Sequence, residues 1–521
     1  MSEQQQNKQY GSFVRLIKSR LSIKPVVDED PRLLRSSLKN ITIVIVAMSA
    51  AMPGFSSTIY FPGIPDINAE LQAPSIATTL TAALFVLFMG IAPVFWAAFS
   101  DFYNIRRFLL IISMIIFVVS SIGNAVMTNI WGMVVLRCLQ AVGASSGQAI
   151  GGGVIADMYP VEQRGSAYGK FFLGMIIGPV IGPIIGGFLI MSVITWRATY
   201  WFCVVFGAVV VIITFFFMPE TFRDDKRFDV GTLPTTTTTP SPKTNNMDDA
   251  TSERSSETTV SVRAETSLDE KDCQPVPQQR TTKTEQPQEK KKTLNPIRPF
   301  LLLRYPNILL SSIIGGIAFG SMFCIETVIP TLYETRYGLN AWQIGLSFLG
   351  AGVGNLLGAV LNGKLSDRLL LRAREKRGGK HKVEDRLAVN LWPCCFFFMP
   401  FGLLLFGWGI ESGMSFWTGI VGFGIQCFGM NQVMTATSAY LLDAVPGQGA
   451  SATAAGNLVR MVMACVLTLI ANPMVEAVGP GYLSVFLAAL SWLSGGLLII
   501  NKVYGQRMRR YFGFEQEAER K

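Results

Sequence analysis

Along the chain, apolar stretches of roughly twenty residues alternate with polar breaks, and each stretch is bounded by charge or by turn residues. They run near 41–65, 77–99, 108–127, 131–155, 169–193, 199–218, 308–332, 343–363, 389–410, 415–439, 451–475 and 482–503. A hydrocarbon core about 30 Å thick needs about 20 residues of helix to cross it, so the pattern predicts an all-α integral membrane fold of twelve transmembrane helices. The long polar break in the middle divides them into two sets of six. The predicted organisation is a polar tail over 1–40, a six-helix bundle over 41–218, a polar linker over 219–300, a second six-helix bundle over 301–503 and a tail over 504–521.

Composition agrees with this reading. Half of the 521 residues are apolar and 15% are charged, and the mean hydropathy of +0.38 exceeds what a wetted globular surface carries. The net charge of +10 does not point to nucleic acid, because the Lys and Arg residues cluster in segments that flank apolar runs. Eight basic residues lie between Lys8 and Lys39 and nine between Lys364 and Arg386. If those segments face the cytoplasm, only Arg197 and Arg336 face outward, and both termini are expected to be cytoplasmic. Residues 1–40 are polar and basic and the apolar run from Ile41 is too long for a cleaved leader, so the first helix is expected to act as its own insertion signal. The Asn40 sequon would then carry no glycan. Seven of the eight cysteines lie in or against apolar runs, and neither a disulfide framework nor a metal-ligand spacing is present.

The segment from Arg223 to Arg298 is rich in Thr, Pro and Ser and reads as a disordered linker, serving either as a tether or as a phosphorylation or turnover switch. An internal repeat relates the two sets of helices. Thr58 to Pro62 at the end of the first apolar run corresponds to Glu326 to Pro330 at the end of the seventh, and Asp66 to Glu334; Asp157 and Pro160 correspond to Asp443 and Pro446. A parallel repeat of six helices implies rocking halves with a site near the bilayer midplane between them.

Glycines supply the next signal. Gly174, Gly178, Gly182 and Gly186 recur every four residues on the fifth helix, with Pro179 and Pro183 among them, and Gly350, Gly354 and Gly358 form a second rail on the eighth. Glycine at this spacing lets backbones approach closely, and proline permits bending. The expectation is that the rails meet where the halves slide; ordinary small-residue packing is the alternative, and it is favoured for Gly143, Gly147 and Gly151.

Ionisable groups within spans are few: Arg137, Glu326 and Arg460. Charge in hydrocarbon costs several kcal/mol, so each is a functional candidate. The sole histidine, His381, falls in a loop, so a proton crossing the membrane must ride on a carboxylate. Glu326, expected about six residues inside the outer end of the seventh helix, is the best placed. Burial favours its neutral form and a nearby arginine its charged form, and Arg137 at similar depth is expected to drive its deprotonation. A structural polar contact or a water-exposed rim position are the alternatives for Glu326. Arg460, three residues after Asn457, either faces a cavity or caps a contact between helices. Asp157 and Asp443 are expected to anchor helix ends.

The run formed by Gly169, Gly178, Gly182, Pro183, Gly186 and Gly187 resembles the antiporter motif of the major facilitator superfamily, and the chain is similar to its fungal twelve-span drug:proton antiporters. The Arg137 to Gly143 segment with Gln140, the pair Trp196-Arg197, Pro219 to Thr221 and Ser57 to Pro62 are similar as well. The loop after the second helix departs from the family form G-x-x-x-D-R-x-G-R-R: Ala97 stands for the first glycine and Phe102 for the first arginine, while Asp101, Arg106 and Arg107 remain. The second half keeps Gly363, Asp367 and Arg368. These loop residues either latch one conformation or fix topology by charge.

The resemblance implies the superfamily fold and proton-coupled export of small organic compounds, drugs and amphipathic or cationic metabolites among them, with a facilitator or importer of an organic acid or polyamine as the alternative. It further implies a functional role for Arg137 with Gln140 and a cavity lined by aromatics such as Tyr60, Phe61, Phe319 and Phe323. Together with the intramembrane placement of Glu326, Arg460 and Asn457, substrate or proton contacts are expected at Glu326, Arg137, Gln140, Arg460, Asn457 and Tyr60, in the plasma membrane or, as the alternative, a vacuolar or other internal membrane. No cofactor is expected beyond the proton gradient, and the protein is expected to work as a monomer. An enzyme is disfavoured because no nucleophile with its base, metal cluster or phosphate loop lies within the spans.

Overall fold

The computed structural model describes residues 30–223, 298–375, 383–387, 391–445 and 448–512. Both chain ends and most of the predicted linker fall outside these residues. The described chain is helical, and we number its membrane passes in order: α1 Ser36–Thr58, α2 Ser75–Tyr103, α3 Arg107–Val126, α4 Ile130–Ala144 with Ser146–Met158, α5 Val161–Ile190 and α6 Arg197–Phe217. The second half holds α7 Pro306–Tyr337, α8 Ala341–Ser347 with Leu349–Glu375, α9 Leu391–Glu411, α10 Phe416–Ala444, and a continuous run Gly449–Tyr511. That run breaks at Gly479, whose φ of 87° no ordinary residue adopts cheaply, and so forms α11 (449–478) and α12 (480–511). The twelve predicted passes are all present.

Two boundaries differ from the expectation for identifiable reasons. α1 stops at Thr58 rather than near residue 65, because Pro62 cannot donate to a helix ladder and the chain turns through the short 3-10 segment Phe61–Gly63 into a small helix, Ile64–Leu71. α7 runs past the predicted residue 332 to Tyr337 and ends at left-handed Gly338, φ 63°. Its last turns are held by tertiary bonds: the Tyr337 hydroxyl donates to the Met414 carbonyl at 2.8 Å. Glu326 therefore sits towards the middle of its helix, not near an outer end.

Helices in lipid gain little from burying apolar surface against each other, so close backbone packing must hold them. Gly143 packs against the α3 backbone at Phe117, and Gly147 against the α1 backbone at Ser49, wedging α4 between them. This is the packing role favoured for those glycines. The rails follow the same logic and correct the expectation that they meet. Gly174, Gly178, Gly182 and Gly186 all face α1, at Ala47, Ala51, Phe55 and Ile59, inside the first half. Gly350, Gly354 and Gly358 face α10, at Ile420, Gly424 and Phe428, inside the second. A four-residue period puts residues on one helix face, and each rail spends that face on its own bundle.

The halves meet through other residues. A methyl group at Gly187 would lie 2.6 Å from the Ala341 carbonyl oxygen, and one at Gly345 would lie 2.5 Å from that of Pro183. Gly352 abuts Val180, and the Phe61 and Phe348 rings stack at 6.4 Å. On the other flank Gly90 abuts Met461, and the Asn472 amide donates to the Thr79 hydroxyl at 2.7 Å, joining α2 to α11. Gly90 and Met461 meet mid-helix, while the other contacts pair the later half of α5 and the first turns of α2 with the first half of α8 and the last turns of α11, so the halves are closed on the side opposite the start of α1 and the end of α12.

Candidate functional site: a cavity between the halves

Below that seam, towards the terminal side, a cavity of about 520 Å³ lies between α5 of the first half and α7, α8 and α10 of the second. Phe172 and Met175 of α5, Phe319 and Met322 of α7 and Met430 and Met434 of α10 give it an apolar, deformable wall. Among the described residues, Glu326 is the one ionisable side chain lining it. Glu326 is 4% exposed, and its Oε2 has no hydrogen-bond partner among the described residues. A buried oxygen left unpaired against a cavity is free for a ligand or a proton.

A larger groove, about 790 Å³, opens between α8 and α10 where Val353, Leu357 and Trp417 are exposed. Its described lining holds no ionisable residue and lies on the outer wall of the second bundle, so lipid contact accounts for it.

The other candidates separate. Arg137 is fully buried in the first half, stacked 4.1 Å from the Tyr60 ring centre and 4.2 Å from that of Phe85. Its Nη1 donates to the Ser56 carbonyl and to Gln140 Oε1, both at 2.9 Å, and Gln140 donates onward to Ser121 at 2.8 Å. Its Nε and Nη2 have no partner among the described residues. No ion pair joins Arg137, in its aromatic cage, to Glu326, in the cavity. Tyr60 and Phe61 are likewise not cavity residues: Tyr60 forms one wall of the arginine cage and Phe61 belongs to the seam. Phe319 does line the cavity. Arg460 reaches the site at one remove, its Nη2 donating at 3.1 Å to Ser438, which lines the cavity. Asn457 is half-buried and outside the lining. Of the motif glycines, Gly187 and Pro183 contribute to the seam, whereas Gly169 has open space around it.

The family model described as Major Facilitator Superfamily matches residues 46–468. The chain belongs to the major facilitator superfamily. Among similar proteins, the MFS transporter fsa7 of a Fusarium species is 30% identical over 93% of this chain and 88% of its own length. The MFS antiporter QDR3 of Candida albicans is 26% identical, covering 93% of this chain and 80% of its own. Solved structures of a D-xylose-proton symporter (TM-score 0.59, 13% identity, 88% of this chain and 97% of that one) and of the nucleoside transporter NupG (0.58, 10%, 89% and 99%) share the fold. The protein is thus a multi-pass membrane transporter of small molecules rather than an enzyme.

As a superfamily member, the chain also carries its loop motifs in a defined arrangement. The Arg106 guanidinium bonds Asp101 at 2.8 Å and Asp157 at 3.1 Å, tying the ends of α2 and α4 to the start of α3. The third carboxylate there belongs to the Pro219–Thr221 run that the sequence marks as family-like. Glu220 accepts from the backbone N–H groups of Arg106, Arg107, Thr221 and Phe222 at 2.9–3.2 Å, capping the α3 N-terminus. The second half repeats the pairing as Arg386–Asp443 at 2.9 Å, and Arg509 forms a buried bidentate pair with Glu384. Asp157 and Asp443 therefore anchor helix ends, as expected. Gly363 and Asp367 lie on α8 with their side chains outside the described residues, and Arg368 is exposed. On the opposite side Glu70 accepts from Trp196 at 2.6 Å and pairs with Arg197, which explains the Trp196-Arg197 dipeptide as a clasp between the α1–α2 and α5–α6 connections.

Proposed function

We propose that this transporter is a proton-coupled antiporter that exports small organic compounds by alternating access, with Glu326 as the residue on which proton and substrate compete. The observation that carries the reading is the unpaired Glu326 oxygen in an apolar cavity between the halves. A carboxylate there is stable only when protonated or paired with a ligand, so loading one form discharges the other. The name antiporter borne by the Candida albicans relative supports the same direction. The proton gradient supplies the energy, and the protein works as a monomer in the plasma membrane with both termini in the cytoplasm.

The test is transport in reconstituted vesicles under an imposed pH gradient, using a panel of drugs, polyamines and organic acids. Wild-type protein is expected to accumulate a substrate against its gradient only when the pH difference is present. Glu326→Gln is expected to insert and to exchange substrate but to lose the uphill component. Uphill transport at wild-type rate by Glu326→Gln would sink the assignment.

A further inference from the structure

α7 and α10 pack antiparallel, with Gly315 against Thr437 towards one end and Tyr333 against Gly419 towards the other. Glu326 stands eleven residues after Gly315 and seven before Tyr333, and Gln426 stands eleven before Thr437 and seven after Gly419. Eleven and seven residues are about three and two turns of helix, so both side chains belong to the faces that meet, and at the same level. Each is buried, and each holds one atom without a partner among the described residues: an acceptor, Glu326 Oε2, and a donor, Gln426 Nε2. The other end of the amide is engaged, since the Cys427 thiol donates to Gln426 Oε1 at 3.4 Å.

The protonation of Glu326 decides whether these two atoms suit each other. With a proton on Oε2 the carboxyl group turns an O–H towards an N–H, donor against donor, and nothing draws them together. Once the proton leaves, the same oxygen is a charged acceptor, and a bond from the amide is charge-assisted, roughly twice as strong as a neutral one.

We infer that Gln426 is a positioning residue for proton release from Glu326: its amide N–H receives the carboxylate as the proton departs, and so sets how readily the site gives that proton up. This rests on the reading of Glu326 as the proton-carrying residue. The charged groups on the neighbouring elements lie at other levels. Arg460 of α11 packs at Gly316, ten residues or about 15 Å along α7. Glu334, with Asp66 of the first half as its neighbour, is eight residues away in the other direction. α8 carries no charge over residues 341–363, α5 none after Lys170, α10 none before Asp443 and α12 none before Lys502. The other titratable groups beside it are thiols, Cys324 on its own helix and Cys427 next to Gln426, both buried. A hydrogen bond to the charged form must therefore come from a neutral donor, and Gln426 is placed to supply it.

The test titrates purified full-length protein by infrared difference spectroscopy, with no pH gradient, reading the carbonyl stretch of the protonated carboxyl group that is lost in Glu326→Gln. Gln426→Met keeps the length of the side chain and removes the N–H. It is expected to make Glu326 hold its proton about tenfold more tightly, moving the half-point about one pH unit upward and the pH profile of vesicle transport with it. Gln432→Met is the control for packing, because it deletes a buried glutamine of the same helix that donates to the Gly358 carbonyl; its melting temperature is expected to fall while the half-point stays. In wild type carrying isotope-labelled glutamine, a side-chain amide band is expected to shift at the Glu326 half-point, which tests the contact without any variant. An unmoved half-point in Gln426→Met, an equal movement in Gln432→Met, or a wild type in which no glutamine band changes overturns the inference. A half-point that depends on Gln426 in a protein whose transport ignores the pH gradient keeps this inference and removes the antiport reading. Uphill transport that is lost in Glu326→Gln but keeps its pH profile in Gln426→Met does the reverse.

Discussion

The guanidinium of Arg137 lies over the ring of Tyr60 at 4.1 Å, and no carboxylate among the described residues pairs with it. A buried cation without a counter-ion is held by ring faces and by neutral acceptors, here Phe85, the Ser56 carbonyl and Gln140. Tyr60 therefore contributes in two separable ways, because its hydroxyl also bonds Thr81 at 3.2 Å. Tyr60→Phe keeps the ring and is expected to cost about 1 kcal/mol, the hydroxyl bond alone. Tyr60→Leu removes the ring and is expected to cost a further ~2 kcal/mol. Thermal unfolding of the two variants in detergent checks the order; equal losses would show that the ring does not hold the arginine.

Glu220 and Asp101 both meet Arg106, yet they are expected to differ in weight. Asp101 is 67% exposed in its side chain, and exposed pairs contribute at most about 1 kcal/mol. Glu220 is buried and accepts four backbone N–H groups around a helix N-terminus. Glu220→Ala leaves those donors uncapped and is expected to lower stability by about 2–3 kcal/mol. Asp101→Ala should stay under about 1 kcal/mol. Guanidine-free thermal scans of both variants would decide it, and a larger loss for Asp101→Ala would refute the hierarchy.

Twelve passes, two halves and the isolated ionisable residues were legible because length, periodicity and charge are local properties of the chain. What a face packs against is not local. The four-residue period of Gly174 to Gly186 announces a close approach but carries no address, and the partner is α1 rather than the other half. In the same way Arg137 and Glu326 have similar apparent depths in the sequence, but only the folded chain reveals that an aromatic cage encloses one and a cavity the other. The polar lining residues Asn355, Asn431, Thr435 and Ser438 went unread because amides and hydroxyls are common in transmembrane helices, where most find partners within their own bundle. Glu220 had a signal, the Pro219-Glu220-Thr221 run, whose meaning depended on the α3 N-terminus meeting it.

Because rail and seam glycines are different sets, their variants should fail differently. Gly182→Leu intrudes on Thr58 and the Phe55 carbonyl within the first half. It is expected to destabilise the fold by more than about 3 kcal/mol, since backbone cannot give way. Gly187→Ala and Gly345→Ala instead disturb only the contact that shuts the side away from the termini. They are expected to retain most of their thermal stability while shifting the population towards the form open on that side. Cysteine labelling at Phe61→Cys, in the seam, reads the shift: faster modification in the Gly187→Ala background is the expected result. Unchanged labelling together with a large drop in melting temperature would place Gly187 with the rails instead.

The strap joining the start of α1 to the end of the first half gives a pH dependence with a definite sign. Asp30 bonds Arg223 at 3.1 Å and accepts from the Arg32 backbone N–H at 2.9 Å. Burial pushes the Asp30 carboxyl up, but the Arg223 hydrogen bond and the Arg32 amide outweigh it and hold the group below its ordinary value of 3.8. A carboxylate with a depressed folded value stabilises the fold above the unfolded value, and that stabilisation disappears as pH falls through the folded one. The melting temperature of Asp30→Asn should therefore lie below that of wild type by a constant amount at neutral pH. The two curves should converge below about pH 4 as wild-type Asp30 takes up its proton. A gap that persists unchanged at low pH would mean that the strap is held by shape and not by charge.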